Sequence, residues 1–210
     1  MRPLTDTCPK PLLKVGGRRL IEYHLLALAK AGVTDVVINY AWLGRMFPQT
    51  LGDGSRYHVN IHYSNEGDQA LETAGGIIRA LPLLGNDPFI VVNADIWTDF
   101  QFETLPDTPQ GLAHLVLVDN PPHHSQGDFE IDANGHVHDR PALTYSGIGV
   151  YSPALFEAQQ ESVLPLAPLL RHAMSEGKVT GEHFTGQWWD IGTPQRLHEL
   201  DSHLNRAQVS

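Results

Sequence analysis

The chain of 210 residues is 41% apolar and 18% charged, which excludes a largely disordered protein and predicts one globular domain over residues 1–210. Its formal net charge of −10 disfavours non-specific binding to nucleic acid and to an anionic membrane surface, so neither is expected as a partner. The single cysteine, Cys8, excludes an internal disulfide framework. No apolar run approaches the ~20 residues of a membrane span and no signal-peptide pattern is present, so a cytoplasmic location is expected.

Hydrophobic periodicity and turn residues divide the first half of the chain into alternating helices and strands. Helices are predicted where apolar residues recur at helical spacing, at residues 20–31, 42–51 and 75–84. Strands are predicted where β-branched and aromatic residues cluster or alternate, at residues 35–40, 58–63 and 88–93. This alternation predicts an α/β fold with a Rossmann-like, mostly parallel sheet and helices on both faces.

The second half of the chain has a different pattern. Strands are predicted at residues 112–119, 143–151 and 179–184, and helices at residues 153–160, 167–176 and from Pro194 onward. The pair Asn134-Gly135 indicates a hairpin within residues 128–137. Residues 2–13 form a proline-rich loop that leads into the first helix with no strand before it. Because the first strand of such a sheet usually lies in its middle, a sheet without it would leave two inner edges unpaired.

Four short segments combine polar residues with prolines, glycines or a strand end: residues 9–12 (P-K-P-L), 71–76 (L-E-T-A-G-G), 93–95 (N-A-D) and 189–193 (W-D-I-G-T). In this order they resemble the nucleotidyl transferase family, which makes nucleotide-sugars from a sugar 1-phosphate and a nucleoside triphosphate. The resemblance covers nearly the whole chain. Stretches such as L-I-E-Y-H-L, V-V-I-N-Y-A-W-L-G and L-A-P-L-L-R are most similar to the compact branch, the N-acetylmuramate-1-phosphate uridylyltransferases of cell-wall recycling.

The resemblance implies a nucleotide-diphospho-sugar transferase fold and a nucleotidyl transfer that releases pyrophosphate. In this branch the donor would be UTP, the acceptor N-acetylmuramate 1-phosphate and the cofactor Mg²⁺. Three alternatives stay open: a mannose- or glucose-1-phosphate nucleotidyltransferase, a metal-dependent glycosyltransferase, and a nucleotide-sugar-binding remnant without chemistry. The sequence settles neither the sugar and the base nor the oligomeric state.

Three residues are predicted to carry the reaction. Lys10 lies between two prolines that stiffen its backbone, and the resemblance makes it the cation that neutralises phosphate oxygens. Asp95 follows the strand predicted at residues 88–93, at the end where α/β sheets bind ligands, and a carboxylate there can hold Mg²⁺. The resemblance makes Asp190 the second metal-binding carboxylate. The alternatives are a solvated lysine and aspartates that cap helices or turns.

The resemblance also implies two groups of substrate-binding residues. The nucleotide would contact Glu66, Glu72, Thr73 and Gly75, although residues 71–76 also fit a helix start capped by Thr73. Many relatives have glycine where this chain has Glu72. The sugar would contact Asn120, Asp128, Ser146 and Gly147. The pairs His123-His124 and His136-x-His138 lack a third ligand at suitable spacing, so zinc is not predicted.

One motif of the family has no counterpart in this sequence. Relatives begin with a strand, a glycine-rich loop and an arginine that together hold the triphosphate, and the resemblance places Met1 inside that motif. Two interpretations are open: the natural chain begins further upstream, or it begins at Met1 and is impaired. Since loss of one such electrostatic donor costs ~10²–10³ in rate, we expect the chain as given to be nearly inactive.

Overall fold

The computed structural model describes residues 1–67 and 69–207. In these residues the α-helices are α1 Leu20–Lys30, α2 Met46–Leu51, α3 Glu72–Leu84, α4 Leu166–Ser175 and α5 Pro194–Ala207. The strands are β1 Lys14–Val15, β2 Arg18–Arg19, β3 Asp35–Tyr40, β4 Asn60–Asn65, β5 Phe89–Val92, β6 Ile96–Thr98, β7 Ala113–Val118, β8 Phe129–Ile131, β9 Val137–Tyr151, β10 Val179–Phe184 and β11 Trp188–Asp190. Short 3₁₀ turns include Lys10–Leu12 and Pro153–Leu155.

Most predicted elements are present, and the differences have local causes. The helix predicted at residues 42–51 begins only at Met46, because Leu43 has a φ of 54°, which an α-helix does not accommodate. The helix predicted at residues 153–160 is wrong. In its place the amides of Leu155, Phe156 and Gln159 each bond a carbonyl three residues earlier, which gives tight turns in place of an α-helix.

The contacts within the chain define two compact units. The first comprises residues 1–69, 94–103 and 187–210, and the second residues 70–93 and 104–186. In the first unit β3 and β4 form a parallel pair, while β6 and β11 form an antiparallel pair. Apolar residues of α1, α2, β3 and β4 build one core cluster there, and β6, α5 and the segment around Val15 build another. The prediction of one domain over residues 1–210 stays a prediction.

The second unit is built on a five-stranded sheet in the order β10-β7-β9-β5, with β8 paired to β9. Only β10 and β7 run parallel, whereas β9 is antiparallel to each of its partners. The α/β class is confirmed, but this sheet is mixed, not mostly parallel. The difference arises because the predicted hairpin turn at Asn134-Gly135 reverses the chain into β9, a strand of 15 residues that pairs antiparallel with β8, β7 and β5.

A phenol pair lies at the core of the second unit, with Tyr151 buried and Tyr145 partly buried. The hydroxyl oxygens of Tyr145 and Tyr151 are 2.7 Å apart, and the Tyr151 side chain is fully buried beside Phe89 and Phe156. Burial raises the pKa of both phenols above the ordinary value, so both stay protonated.

In the part of the chain that the structure describes, no helix has the length and apolarity needed to cross a membrane.

Candidate active site

Lys10 is held on a short turn by its neighbours. It begins the 3₁₀ turn Lys10–Leu12 between Pro9 and Pro11, and the Leu12 and Leu13 amides donate to the carbonyls of Pro9 and Lys10. Leu12 is 3% exposed and packs in the core with residues of α1, which anchors the turn. The Lys10 ammonium Nζ donates to Asp95 Oδ2 at 2.8 Å. The predicted phosphate-neutralising cation therefore contacts the predicted metal-binding carboxylate.

Asp95 lies in the turn that immediately precedes β6. The strand that follows it is fixed to α1 by His24, whose Nε2 lies 2.9 Å from the Ile96 carbonyl oxygen. Because a carbonyl only accepts, Nε2 carries the proton in this contact. Burial of His24 lowers its pKa to about 4, so the imidazole is neutral at physiological pH. This contact fixes the backbone next to Asp95.

Asp190 ends β11, and strand pairing brings it beside Asp95. In the antiparallel ladder Asp190 is opposite Ile96, and the Ile191 amide donates to the Asp95 carbonyl at 3.0 Å. Ile96 and Ile191 are both buried, which fixes the register, because a slip of one residue would expose them. The fold thus joins the backbones that carry the two predicted metal ligands.

A fourth charged residue, Arg196, joins this group. Its Nη1 donates to Asp190 Oδ2 at 2.6 Å, from the first turn of α5. Sequence reasoning did not predict a role for Arg196. The available signal was its position, six residues after Asp190 and three after Thr193, a residue suited to start a helix.

The residues present fit a magnesium ion. Mg²⁺ is usually bound in enzymes through one or two carboxylates, with substrate phosphates and water completing its coordination. Asp95 and Asp190 provide two carboxylates on adjoining backbone. The described residues hold no cluster of three or more histidine, cysteine, aspartate or glutamate side chains suited to a metal. A site with two carboxylates suits an ion that takes its remaining ligands from phosphates.

The predicted nucleotide-binding residues lie at two places in the fold. Glu66 follows β4 and its amide donates to the Tyr40 carbonyl at 2.8 Å. In the second unit Glu72 and Thr73 are exposed at the start of α3. The interpretation of Thr73 as the helix cap is wrong, because α3 begins at Glu72 and its cap position is Leu71. Glu72, at the N-terminal boundary of α3, is not itself in a helical conformation: its φ is 59°, a left-handed value that glycine adopts without strain.

Gly75 is packed against protein backbone. Its amide donates to the Leu164 carbonyl at 3.1 Å, and a Cβ on Gly75 would lie 2.1 Å from the Ser162 carbonyl oxygen. The small residue predicted at this position is therefore required by residues 162–164. A contact of Gly75 with the nucleotide stays a prediction.

Asn120 and Asp128 both bind nearby protein groups. The Asn120 amide nitrogen donates to the Ala142 carbonyl at 2.7 Å, and its Oδ1 accepts from the Thr144 hydroxyl at 2.8 Å. Asp128 Oδ2 accepts from the Tyr145 amide at 2.9 Å, and its Oδ1 lies 3.0 Å from His124 Nε2. These bonds hold the loop before β8 against β9. Sugar contacts by either residue stay predictions.

Ser146 and Gly147 lie at an irregularity of β9. The Ser146 hydroxyl donates to the Val116 carbonyl at 2.7 Å and accepts from the Ile148 amide at 3.1 Å. Ser146 is 1% exposed and lies where the register between β7 and β9 shifts. Its two hydrogen bonds therefore join the two strands at this irregularity. Gly147 has a φ of 84°, and a Cβ there would lie 2.7 Å from the Asn93 side chain. The glycine is required by this close approach.

The histidine pairs noted in the sequence contact acidic residues. His124 pairs with Asp128, as described, and His138 Nε2 lies 2.9 Å from Asp132 Oδ2. The same Asp132 accepts two backbone amides of the hairpin before β9 through Oδ1. The hydrogen bond with His138 and, after it, these amide bonds lower the pKa of Asp132 to about 2.

The chain is similar in sequence to known proteins. The model of the nucleotidyl transferase family matches residues 1–207. The N-acetylmuramate alpha-1-phosphate uridylyltransferase of Neisseria meningitidis is 51% identical over 214 residues, covering 96% of this chain and 92% of that protein. The protein of the same name from Caulobacter vibrioides is 30% identical over 224 residues, covering 99% of this chain and 93% of that protein.

A solved structure confirms the fold. A Bacillus anthracis protein described as a glucose-1-phosphate thymidylyltransferase, crystallised with sucrose, superposes with a TM-score of 0.83 at 20% identity. The superposition covers 98% of this chain and 90% of that one. The structural similarity establishes the fold alone. The family model, which matches almost the full length, and the similarity to the Neisseria protein establish more: the chain belongs to the nucleotidyl transferase family.

Proposed function

We propose that this protein transfers the uridylyl group of UTP to N-acetylmuramate 1-phosphate and releases pyrophosphate. The choice of substrates is supported by the name of the Neisseria relative, which is 51% identical to this chain. The observation that carries the chemistry is the convergence of Lys10, Asp95 and Asp190, which come from three distant segments of the first unit. A cytoplasmic location and a place in cell-wall recycling belong to the same proposal.

The reaction is an in-line displacement at phosphorus. An oxygen of the sugar 1-phosphate attacks the α-phosphorus of UTP, a new P–O bond forms, and the bond to the bridging oxygen breaks as pyrophosphate leaves with its electron pair. No covalent enzyme intermediate is required, so the protein contributes positioning and charge neutralisation. Asp95 and Asp190 would hold Mg²⁺, which would supply positive charge to neutralise the phosphates.

Lys10 has the geometry to exchange one anion for another. Its ammonium is paired with Asp95, its side chain is 25% exposed, and its backbone is fixed by the two flanking prolines. A lysine stem has several rotatable bonds, so Nζ can turn to a phosphate oxygen while the backbone stays in place.

The residues proposed to bind the nucleotide are Glu66, Glu72, Thr73 and Gly75.

The sugar is proposed to contact Asn120, Asp128, Ser146 and Gly147. For Asn120, Asp128 and Ser146 the hydrogen bonds described above favour an indirect role, through the backbone that these side chains hold in place. Direct contacts would require those bonds to be exchanged for sugar hydroxyls.

Pyrophosphate release tests the proposal. The full chain, with Mg²⁺, is assayed with UTP, GTP, dTTP or ATP against N-acetylmuramate, mannose or glucose 1-phosphate. We expect turnover, although slow as the sequence analysis predicts, to be greatest with UTP and N-acetylmuramate 1-phosphate, and to be lost in Asp95→Asn and Asp190→Asn. A preference for GTP with mannose 1-phosphate, or UDP release onto an acceptor sugar, would overturn the choice of substrates.

Calorimetry with UTP and Mg²⁺ separates binding from turnover. UTP binding without pyrophosphate release would support a nucleotide-sugar-binding protein that has lost its chemistry. No binding of UTP would exclude both that interpretation and the proposed transfer.

A further inference from the structure

We propose that Arg196 is a positioning residue for Asp190, and that its guanidinium fixes the direction of this carboxylate and thereby the affinity of the site for a divalent cation. The inference rests on the proposed role of Asp190 as a metal ligand. No role was predicted for Arg196, and its contact with Asp190 is visible only in the folded protein.

The contact itself is short and sheltered. Arg196 Nη1 and Asp190 Oδ2 are 2.6 Å apart, and the two side chains are 24% and 30% exposed. Among the residues that the structure describes, most other ion pairs that involve arginine are more exposed; Arg171 and Asp139, for example, are 49% and 51% exposed. Exposed pairs contribute little, whereas a sheltered hydrogen bond between two charged groups is stronger and better ordered.

The backbone between the two residues is built to allow this contact. A Cβ on Gly192 would lie 2.3 Å from Arg196 Nη2 and 3.0 Å from its Cζ, so the guanidinium lies directly over a position that has no side chain. Thr193 then starts α5, because its hydroxyl accepts the Arg196 amide at 3.2 Å and its carbonyl accepts the Leu197 amide at 3.1 Å. Pro194 is at the first helical position, where its missing N–H costs nothing.

The helix that carries Arg196 is fixed at both sides of the contact. Ile191 and Leu200 are each 0% exposed and pack in the same core cluster with Trp97 of β6. Further along, Asp201 Oδ1 accepts the Gly16 amide at 2.7 Å. Since α5 and β11 are held by the same core, Arg196 reaches Asp190 from a fixed origin.

The two cations of the site therefore have different tasks. Lys10 has a flexible stem and pairs with Asp95, which suits exchange from a carboxylate to a phosphate. Arg196 has a planar guanidinium that is always charged and presents its N–H groups in a fixed geometry. Groups that orient a metal-binding carboxylate typically change metal affinity by ~10–100-fold when they are removed.

Direct cation binding tests the proposal without relying on turnover. Mn²⁺ alone is titrated into the full chain and its free concentration is followed by electron paramagnetic resonance. The variants are Arg196→Ala, Arg196→Gln, Arg196→Lys and Asp190→Asn, with Arg206→Ala as a matched control on the same helix. We expect Arg196→Ala to weaken Mn²⁺ binding ~10–100-fold, Arg206→Ala to leave it unchanged, and Arg196→Gln, which keeps N–H donors, to recover part of the loss.

The outcomes separate this proposal from the function on which it rests. If Asp190→Asn binds Mn²⁺ like the unchanged protein, the metal role of Asp190 fails. If Asp190→Asn binds weakly and Arg196→Ala binds normally, only the role of Arg196 fails. Tighter binding in Arg196→Ala and Arg196→Gln would show that the arginine competes with the cation, which also overturns positioning.

A kinetic readout distinguishes positioning from a general loss of folding. The concentration of Mg²⁺ that gives half-maximal rate is expected to rise ~10–100-fold in Arg196→Ala, while the rate at saturating Mg²⁺ recovers. Thermal unfolding of each variant is measured in parallel. A lowered rate that saturating Mg²⁺ does not restore, in a variant that unfolds at the normal temperature, would contradict the proposal.

Discussion

The ammonium of Lys10 lies 2.8 Å from the carboxylate of Asp95, although 85 positions separate the two residues in the sequence. One residue is fixed by prolines on a 3₁₀ turn and the other stands in the turn before β6. Each partner thus keeps a defined direction, because the constraint comes from the backbone on both sides. The ion pair holds the site in order while substrate is absent, and substrate phosphates replace the carboxylate as the partner of Lys10 in the proposed reaction.

Lys10→Ala should lower the rate of pyrophosphate release by ~10²–10³, because a preorganised cation is removed from the phosphates. Most of the loss should appear in kcat if Lys10 acts on charge that develops during transfer. Lys14→Ala is the matched control, since Lys14 is an exposed lysine of the neighbouring hairpin. A normal kcat in Lys10→Ala would remove Lys10 from the catalytic group.

Glu72→Gly should stabilise the protein and weaken UTP binding. The left-handed conformation of Glu72 costs about 1 kcal/mol that glycine would not incur. Urea unfolding measures the gain, and calorimetry with UTP measures the loss. Thr73→Gly removes an exposed side chain of the same turn and should give no gain in stability. Unchanged UTP affinity in Glu72→Gly would show that the glutamate does not contact the nucleotide.

The fold should lose stability between pH 6.5 and pH 4 through His24. The pKa of this buried histidine is lowered from 6.5 to about 4, so in this interval the unfolded chain binds a proton that the folded chain excludes. The free energy of unfolding therefore falls as pH falls through this range, by about 3 kcal/mol when complete. The nearby charge of Asp95 reduces the shift.

A variant isolates the contribution of His24. In His24→Gln the side-chain amide can still donate to the Ile96 carbonyl but does not titrate. The urea midpoint of this variant should depend less on pH between 6.5 and 4 than that of the unchanged protein. His198→Gln, at an exposed position of α5, is the control. Equal slopes for His24→Gln and the unchanged protein would be evidence against a buried neutral imidazole.

The phenol pair should behave as one unit. Tyr151→Phe leaves the Tyr145 hydroxyl without its buried partner, and Tyr145→Phe does the same to Tyr151, so each should cost about 1–3 kcal/mol. The double variant removes both polar groups and should cost less than the two single changes together. Urea unfolding of the four proteins measures this coupling. Strict additivity would show that the hydroxyls do not depend on each other.

The sequence predicted elements whose signals are local. The strand at residues 35–40 was predicted with its observed bounds because its β-branched residues lie together between turn residues. In contrast β6 was missed, because three residues after a turn carry no periodicity and the strand exists only through pairing with β11. The mixed sheet was missed for the same reason, since strand direction is decided by partners that are distant in the sequence.

The candidate site shows the same division. The sequence motifs predicted that Lys10, Asp95 and Asp190 carry the reaction, and the fold brings these three residues of the first unit together. Arg196 was missed because an arginine in a polar helix has the pattern of a surface residue. The glycine at position 75 predicted that another group packs closely against the backbone there. The sequence did not predict that this group is the Ser162 carbonyl. Patterns identify such residues by type, whereas their partners depend on tertiary contacts.

The β6–β11 ladder also sets the order in which the site is made during synthesis. Domains begin to fold from their N-terminal parts while the ribosome is still adding residues. Lys10 and Asp95 are synthesised before Asp190 and Arg196, because both lie earlier in the sequence. A nascent chain released early would carry one carboxylate and its lysine but no partner strand for β6. The proposed cation site is therefore absent from any product that stops before α5, and binding of Mn²⁺ reports that β11 and α5 have been made and have folded.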